Sequence, residues 1–326
     1  MKVYAASKPP ATGSGWFFGG DPERLAAQST RFSDEQPGPE TATDERSTPS
    51  AVWASLRGNP QALLGAGLLL AIALLALFAD VLCPGDPLDT VAAPLIGPFT
   101  DAQHWLGTDS LGRDVAAGIV HGTRASLLIG ATAALLGIVI GTAVGATAGF
   151  FGGWVDALLV RITEIVQTTP AFLLVIVIVT IGQPSMQVIS LAIGIASWPT
   201  VARLVRAEFR SLVNSEFVTA ARSLGYGPVR IIFQEILPNA LPPIIVTASV
   251  MVASAILMES ALAFLGQGDP NRISWGSMIG SGREMLRTAP SLTILPGAAL
   301  VLAILSLNLL GDGLNRAFNP RLRERR

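Results

Sequence analysis

Lysine is almost missing from this chain: among its 22 basic residues only Lys2 and Lys8 are lysines. A phosphate-binding loop of the G-x-x-x-x-G-K-[ST] type needs its lysine, so the chain cannot supply that kind of ATP site. Cysteine is reduced to Cys83, which excludes an internal disulfide and a C-x-x-C metal or redox centre; Cys83 is expected to act as a small apolar residue at a span end. Charged residues make up 14% of the chain and the net charge is −1. That balance offers no basic surface for nucleic acid. What is abundant is apolar: half of the 326 residues are hydrophobic and the mean hydropathy is +0.53. These values lie outside the usual soluble range and predict several membrane spans in a lipid bilayer.

Residues 1–55 are rich in Pro, Ser, Thr, Gly and acidic side chains and are expected to form a disordered cytoplasmic tail. Because the first apolar run starts only near Gln61, it reads as a retained span rather than a cleaved signal peptide. That run, 61–82, would reach roughly 33 Å as a helix, enough to cross. Further runs at about 124–150, 154–182, 187–206, 240–265 and 291–311 make six predicted spans. The division expected is a tail (1–55), a first span with an external segment (56–122), a core (123–312) carrying a cytoplasmic loop at 207–239, and a basic C-terminus (313–326). Lys and Arg are concentrated in the tail, in 203–240 and after 313. By the positive-inside rule both termini and the 203–240 loop are therefore cytoplasmic.

Several positions within the apolar frame stand out. Glycines at 130, 137, 141, 145, 149, 152 and 153 recur mostly at four-residue spacing, which predicts a face for close helix packing. The third run opens with Asp156, Arg161 and Glu164 before Gln167, Thr168, Thr169 and Pro170. Its first half is too polar for lipid and should face protein or a wet pathway. Arg161 and Glu164 can pair across one turn, either structurally or as part of a pathway. Glu259 lies inside the fifth run, where a carboxylate needs a donor or the bundle interior; it is a pathway or gate candidate, or an interhelical hydrogen-bonding group. On the outer side, Asp109, Arg113 and Asp114 are expected to form a charge cluster between two glycine turns, and Trp275 can meet an external partner or anchor at the interface. His104 with Asp109 or Asp114 lacks a nucleophile or metal-ligand spacing, so no catalytic site, cofactor or metal is expected.

The most informative loop runs from Asn214 to Pro238. Phe217, Ala220, Ala221 and Leu224 fall at i, i+3, i+4 and i+7, which predicts a short helix with one narrow apolar stripe. Glu216, Thr219, Arg222 and Ser223 lie off it. Ser215 can cap the first turn, Glu216 suits the positive end of the helix dipole, and Gly225 can stop the helix in the left-handed conformation. Pro228 suits the start of a second helix that Pro238 would end or kink. The pattern describes a helix built to dock.

Residues Thr219 to Gly225 (T-A-A-R-S-L-G) and Ile236 to Asn239 (I-L-P-N) resemble the E-A-A…G…L-P loop of ABC importer permeases. G-T-D-S-L-G-R-D at 107–114, F-L-G-Q-G at 264–268 and S-W-G at 274–276 resemble the C-type permease subunit of the dipeptide/oligopeptide/nickel branch. The similarity covers about residues 56–320. It implies an all-α, six-helix polytopic membrane protein with the type I ABC importer transmembrane fold, in the bacterial plasma (inner) membrane. It implies a second homologous permease subunit, two cytoplasmic ABC ATPase subunits docking on the loop, and an external solute-binding protein. On that resemblance the chain is not an enzyme: it forms half of a pathway for peptides, or for relatives' cargoes such as nickel chelates or glutathione, and ATP hydrolysis belongs to partner chains. Coupling would fall to Glu216, Phe217, Thr219, Ala220, Ala221, Leu224, Gly225 and Pro238. Thr219 stands where the family motif has Glu, and Glu235 where it has Ile, so the contact with the ATPase is altered there. Two other classes remain: an ion-coupled secondary transporter, for which only Arg161, Glu164 and Glu259 qualify, and an intramembrane protease, for which Gly280-Ser281-Gly282 lies in an outer loop with no histidine after His121.

Overall fold

The computed structural model describes residues 57–318. The expected tail (1–55) and the last basic residues (319–326) lie outside the described residues. Five helices are long and apolar enough to cross a membrane, and a bent pair brings the number to six when taken as one span. In chain order the helices are α1 (Pro60–Leu77), α2 (Ala79–Leu82), α3 (Val115–Phe151), α4 (Gly153–Thr168), α5 (Ala171–Gly182), α6 (Met186–Leu212), α7 (Glu216–Ser223), α8 (Pro228–Arg230), α9 (Leu237–Phe264), α10 (Trp275–Gly282) and α11 (Ser291–Phe318). The protein is an all-α polytopic membrane protein.

The bundle is centred on α3 and α6, which pack along the predicted glycine ridge. A Cβ on Gly137 would meet Ser197 Oγ at 2.6 Å, and one on Gly141 would meet Trp198 O at 2.7 Å. One on Gly149 would meet Arg206 O at 2.8 Å. Only glycine lets the two backbones come this close. The register rises on both helices together, so α3 and α6 run parallel and the α4–α5 segment must return between them. Helix α9 runs antiparallel to α3, since Gly130 meets Ile256 while Gly137 meets Met251. Gly65 and Gly313 seat α1 against α11 in antiparallel fashion through Leu309 and Ala62. This alternation places both described chain ends and α7 at one end of the bundle, and the 83–114 and 265–290 segments at the other. Gly152 and Gly153 do not extend the ridge as expected. They have positive φ and open space around them, and they form the break between α3 and α4.

The third predicted span is the main correction to the sequence expectation. Residues 154–182 form two helices bent by 80°. Thr169 sits before a proline in extended geometry (φ −88°, ψ 128°), because the Pro170 ring disfavours the helical region for the residue before it, and Pro170 lacks the N–H that would continue the ladder. Of α4 only Thr163 is buried, and Arg161 and Glu164 are exposed. Their polar surface therefore faces outward from the single chain.

Pro238 behaves differently from its expected role as a stop. The backbone passes from α8 through a π-helical turn, Ile231–Ile236, directly into α9. The wider turn leaves room for the Pro238 ring over the carbonyl four residues back, where a regular α-helix would clash. Pro228 opens α8, as its position predicts.

Candidate functional site

Helix α7 is held by one face and presents the other. Val218 is fully buried and Ala221 is 4% exposed; they join Phe209, Val205, Ile231 and Ile236 in one apolar cluster. Phe217, Ala220 and Leu224 point away from that cluster, with Leu224 72% exposed. The predicted stripe is thus split. Its Ala221 faces the chain's own core, and Val218, which the spacing argument passed over, anchors beside it. Val218 sits three residues before Ala221, so this inner face was legible as a second, shorter apolar pair. Val229 and Phe233, on the following turns, are exposed as well and were not singled out by pattern.

The ends of α7 are fixed by backbone geometry. Ser215 does not cap the helix with its side chain: its hydroxyl donates instead to Leu212 O at 2.6 Å, tying the turn back to α6. At the C-terminus Tyr226 N–H donates to Ala221 O (3.1 Å) and Gly225 N–H to Arg222 O (2.9 Å), with Gly225 at φ +80°. This pair of bonds closes a Schellman motif, which satisfies the last carbonyls and needs the left-handed residue. The Arg230 guanidinium then stacks 3.7 Å over the Tyr226 ring, and its Nε donates to Gln234 (2.9 Å), linking the exit of α7 to the π turn. Thr219 is exposed, and its hydroxyl bonds only to Ser215 O within the helix (3.1 Å). Glu216 and Glu235 make no ion pair among the described residues.

Above α7, Asp156 of α4 receives Nε and Nη2 of Arg206 on α6, the latter at 2.7 Å, and Arg210 approaches at 3.4 Å. Arg161 and Glu164 pair at 3.3 Å, and Glu164 borders a cavity of about 170 Å³ with Thr163, Gln167, Arg203 and Arg206.

Glu259 lies at the opposite end, apart from the Arg161–Glu164 pair. It is 1% exposed, with the Ser260 hydroxyl donating to it at 3.4 Å. Ser274 is the N-cap of α10, where it exchanges hydrogen bonds with Ser277 in a capping box. Trp275 follows, and here the structure corrects the expectation of a surface anchor. Trp275 is 1% exposed; its indole N–H donates to Ile119 O (3.1 Å) and its backbone N–H to Ser126 Oγ (3.3 Å). It fastens α10 to α3.

The outer loop residues also differ from a charge cluster. Asp109 takes the amides of Leu111 (2.8 Å) and Arg113 (2.9 Å). Asp114 caps α3 through Ala116 (2.7 Å) and Ala117 (3.1 Å), and its other oxygen meets His104 Nδ1 at 2.7 Å. Arg113 forms no ion pair with either aspartate among the described residues. The competing backbone amides win because they lie within two to four residues of each carboxylate. Among the described residues no three His, Cys, Asp or Glu side chains gather as a metal set.

Residues 137–324 match the family described as binding-protein-dependent transport system inner membrane component. Residues 50–111 match the N-terminal TM domain of oligopeptide transport permease C. The chain is 39% identical over 273 residues to the dipeptide transport system permease protein DppC of Alkalihalophilus pseudofirmus, covering 83% of this chain and 89% of that protein. It is 37% identical over 269 residues to the glutathione transport system permease protein GsiD of Pectobacterium atrosepticum, covering 82% and 89%. A solved inward-facing structure of the MetNI methionine ABC transporter matches with a TM-score of 0.52 at 20% identity, over 62% of this chain and 96% of that chain. That likeness concerns the fold.

Proposed function

Given that the chain belongs to the binding-protein-dependent transport system inner membrane component family, we propose that α7 is the coupling helix by which a separate ATPase drives peptide import through it. The chain is a multi-pass inner membrane permease subunit of an ABC importer with the type I transmembrane fold, and its family sets aside the ion-coupled carrier. In the proposal its cargo is a di- or oligopeptide, the cargo class of relatives such as the dipeptide permease DppC. A second permease of the same kind completes the pathway, two ATPase subunits hydrolyse ATP, and an external solute-binding protein delivers cargo. Both termini and α7 face the cytoplasm, in keeping with the arginines gathered at that end.

The observation that carries the coupling role is the split of α7: Val218 and Ala221 seat it in the chain's own core, while Phe217, Ala220 and Leu224 are left uncovered. A helix so fixed moves as one body with α6 and the π turn. A partner that seats on its outer face can therefore shift the spans rather than merely bend a loop. Thr219 and Glu216 offer the polar contacts at that face. Pro238, which holds the π turn open, connects the helix to α9. Arg161 and Glu164 on the uncovered surface of α4, and Glu259 beneath α10, are the residues proposed to border the moving pathway; the outer loop with Asp109, Arg113 and Asp114 forms the receiving face, and the buried Trp275 holds α10 in place beneath it.

The test is to purify the intact complex, identify its companion chains, and measure ATPase activity with and without the external component loaded with dipeptide. Replacing Leu224 with Asp should remove the stimulated activity while the permease stays in the membrane. Full stimulation in Leu224→Asp would overturn the assignment of α7.

A further inference from the structure

At the outer end of the bundle three arginines surround a half-open cavity of about 380 Å³, and none of them forms an ion pair among the described residues. Arg113 enters from the loop before α3, Arg272 from the loop after α9, and Arg283 from the end of α10. The cavity wall also holds three aspartates, and each is already engaged by other groups. Asp109 is held by its local amides, Asp114 caps α3 and meets His104, and Asp269 accepts from Asn271 N–H (2.9 Å) and from Met186 N–H at the start of α6 (2.9 Å). Arg283 donates to Phe264 O (3.1 Å) and stacks over that ring. No side-chain hydrogen bond engages Arg272 among the described residues. Arg113 Nε is shut off from solvent and has no partner.

The closed-off Nε cannot meet a ligand, so an incoming anion would meet Arg113 through its terminal nitrogens, which no acidic side chain engages among the described residues. Two further features of the wall restrict which anion fits. Gly266 has open space where a side chain would stand, whereas Gly268, Gly280 and Gly282 are packed against Ala263, Phe264 and the Leu292–Thr293 turn. Met278 and Ile273 supply apolar surface beside it. The volume falls within the roughly 300–1,000 Å³ of small-molecule sites. A bare inorganic ion would leave most of it unfilled.

We propose that this cavity binds the free carboxylate end of a peptide-sized solute, with the guanidinium groups of Arg113 and Arg272 gripping the carboxylate and the wall of Gly266, Ile273 and Met278 receiving the chain behind it. A guanidinium matches a carboxylate through two parallel hydrogen bonds. The inference rests on the import proposal for its direction: the cavity is a holding point on the receiving face, from which cargo proceeds to the pathway.

The experiment uses the full chain assembled with its companion membrane and ATPase subunits in lipid nanodiscs, without the external binding component. Binding of the dipeptide Ala-Ala is compared by calorimetry with that of its C-terminal amide. The amide should bind about tenfold more weakly, the usual scale for losing a charge-assisted contact near the surface. Arg272→Gln should weaken Ala-Ala by a similar factor and leave the amide unchanged. Arg113→Gln should do the same; Arg272 is exposed, so its variant keeps the test valid should Arg113→Gln fail to assemble. Absent binding of Ala-Ala, equal binding of acid and amide, or an equal effect of Arg272→Gln on both would overturn the proposal. So would displacement of Ala-Ala by equimolar inorganic phosphate, which would mark a general anion site. Uptake of labelled Ala-Ala by the complete wild-type transporter separates the two ideas: no uptake counts against peptide import, whereas uptake without an acid–amide difference counts against this cavity alone.

Discussion

Arg206 on α6 grips Asp156 at the start of α4 with two nitrogens, one on each carboxylate oxygen. The pair spans the Gly152–Gly153 break and fixes the bent α4–α5 segment to the helix that leads into α7. Asp156 is 14% exposed and Arg206 29%, so water screens the contact only in part. Arg206→Lys keeps the charge and removes the fork. It should cost about 1–3 kcal/mol, below the figure for a fully buried pair, and appear as a lowered thermal midpoint of the purified complex. An unchanged midpoint would show that the fork adds nothing beyond a point charge.

Gly225 sits at φ +80° with open space around it, so a side chain there strains the backbone without a clash. Gly225→Val should cost about 1–2 kcal/mol at that turn, the penalty for forcing an ordinary residue into the left-handed region. Membrane levels should hold while cargo-stimulated ATPase activity falls. Gly225→Asn should retain most of it, since Asn tolerates this conformation. Equal activity in both variants would detach the Schellman turn from coupling.

Ala220 and Ala221 are neighbours with opposite surroundings. Ala220→Trp places bulk on the uncovered face and should leave a folded permease that no longer co-purifies with its ATPase. Ala221→Trp overpacks the cluster around Phe209 and Ile236 and should cost about 1–3 kcal/mol or more, lowering the amount of protein in the membrane. The two outcomes are read by quantitative blotting and pull-down. Identical behaviour would contradict the split face.

Glu259 and Trp275 are both buried at the outer end of the bundle, each 1% exposed. Glu259→Gln keeps hydrogen-bonding capacity and should preserve both assembly and transport, whereas Glu259→Leu leaves the Ser260 hydroxyl without this acceptor and should reduce both. Loss of transport in the Gln variant with assembly intact would instead assign a charge-dependent role. Trp275→Ala should destabilise the complex by about 3–5 kcal/mol, as for other buried aromatics, and a thermal shift experiment measures it.

The sequence by itself determined the number of apolar runs, the glycine ridge, the short helix within 214–226 and the absence of a P-loop lysine. These are one-dimensional properties: a run must be long enough to cross, small residues must recur at helical spacing, and a missing residue type is missing in any fold. Tertiary structure decided which side of each element faces inward. Ala221 was expected on the outer stripe with Ala220, but Val218 draws it into the core; one face of an eight-residue helix is too short for periodicity to choose between two apolar pairs. Trp275 was expected outside and lies buried, because only the approach of α3 supplies the carbonyl of Ile119 that its indole needs. Asp109, Arg113 and Asp114 are adjacent in sequence, yet the backbone amides nearby take both carboxylates and leave Arg113 facing a cavity assembled from three distant segments. Which polar groups find partners is set by distances that only the folded chain fixes.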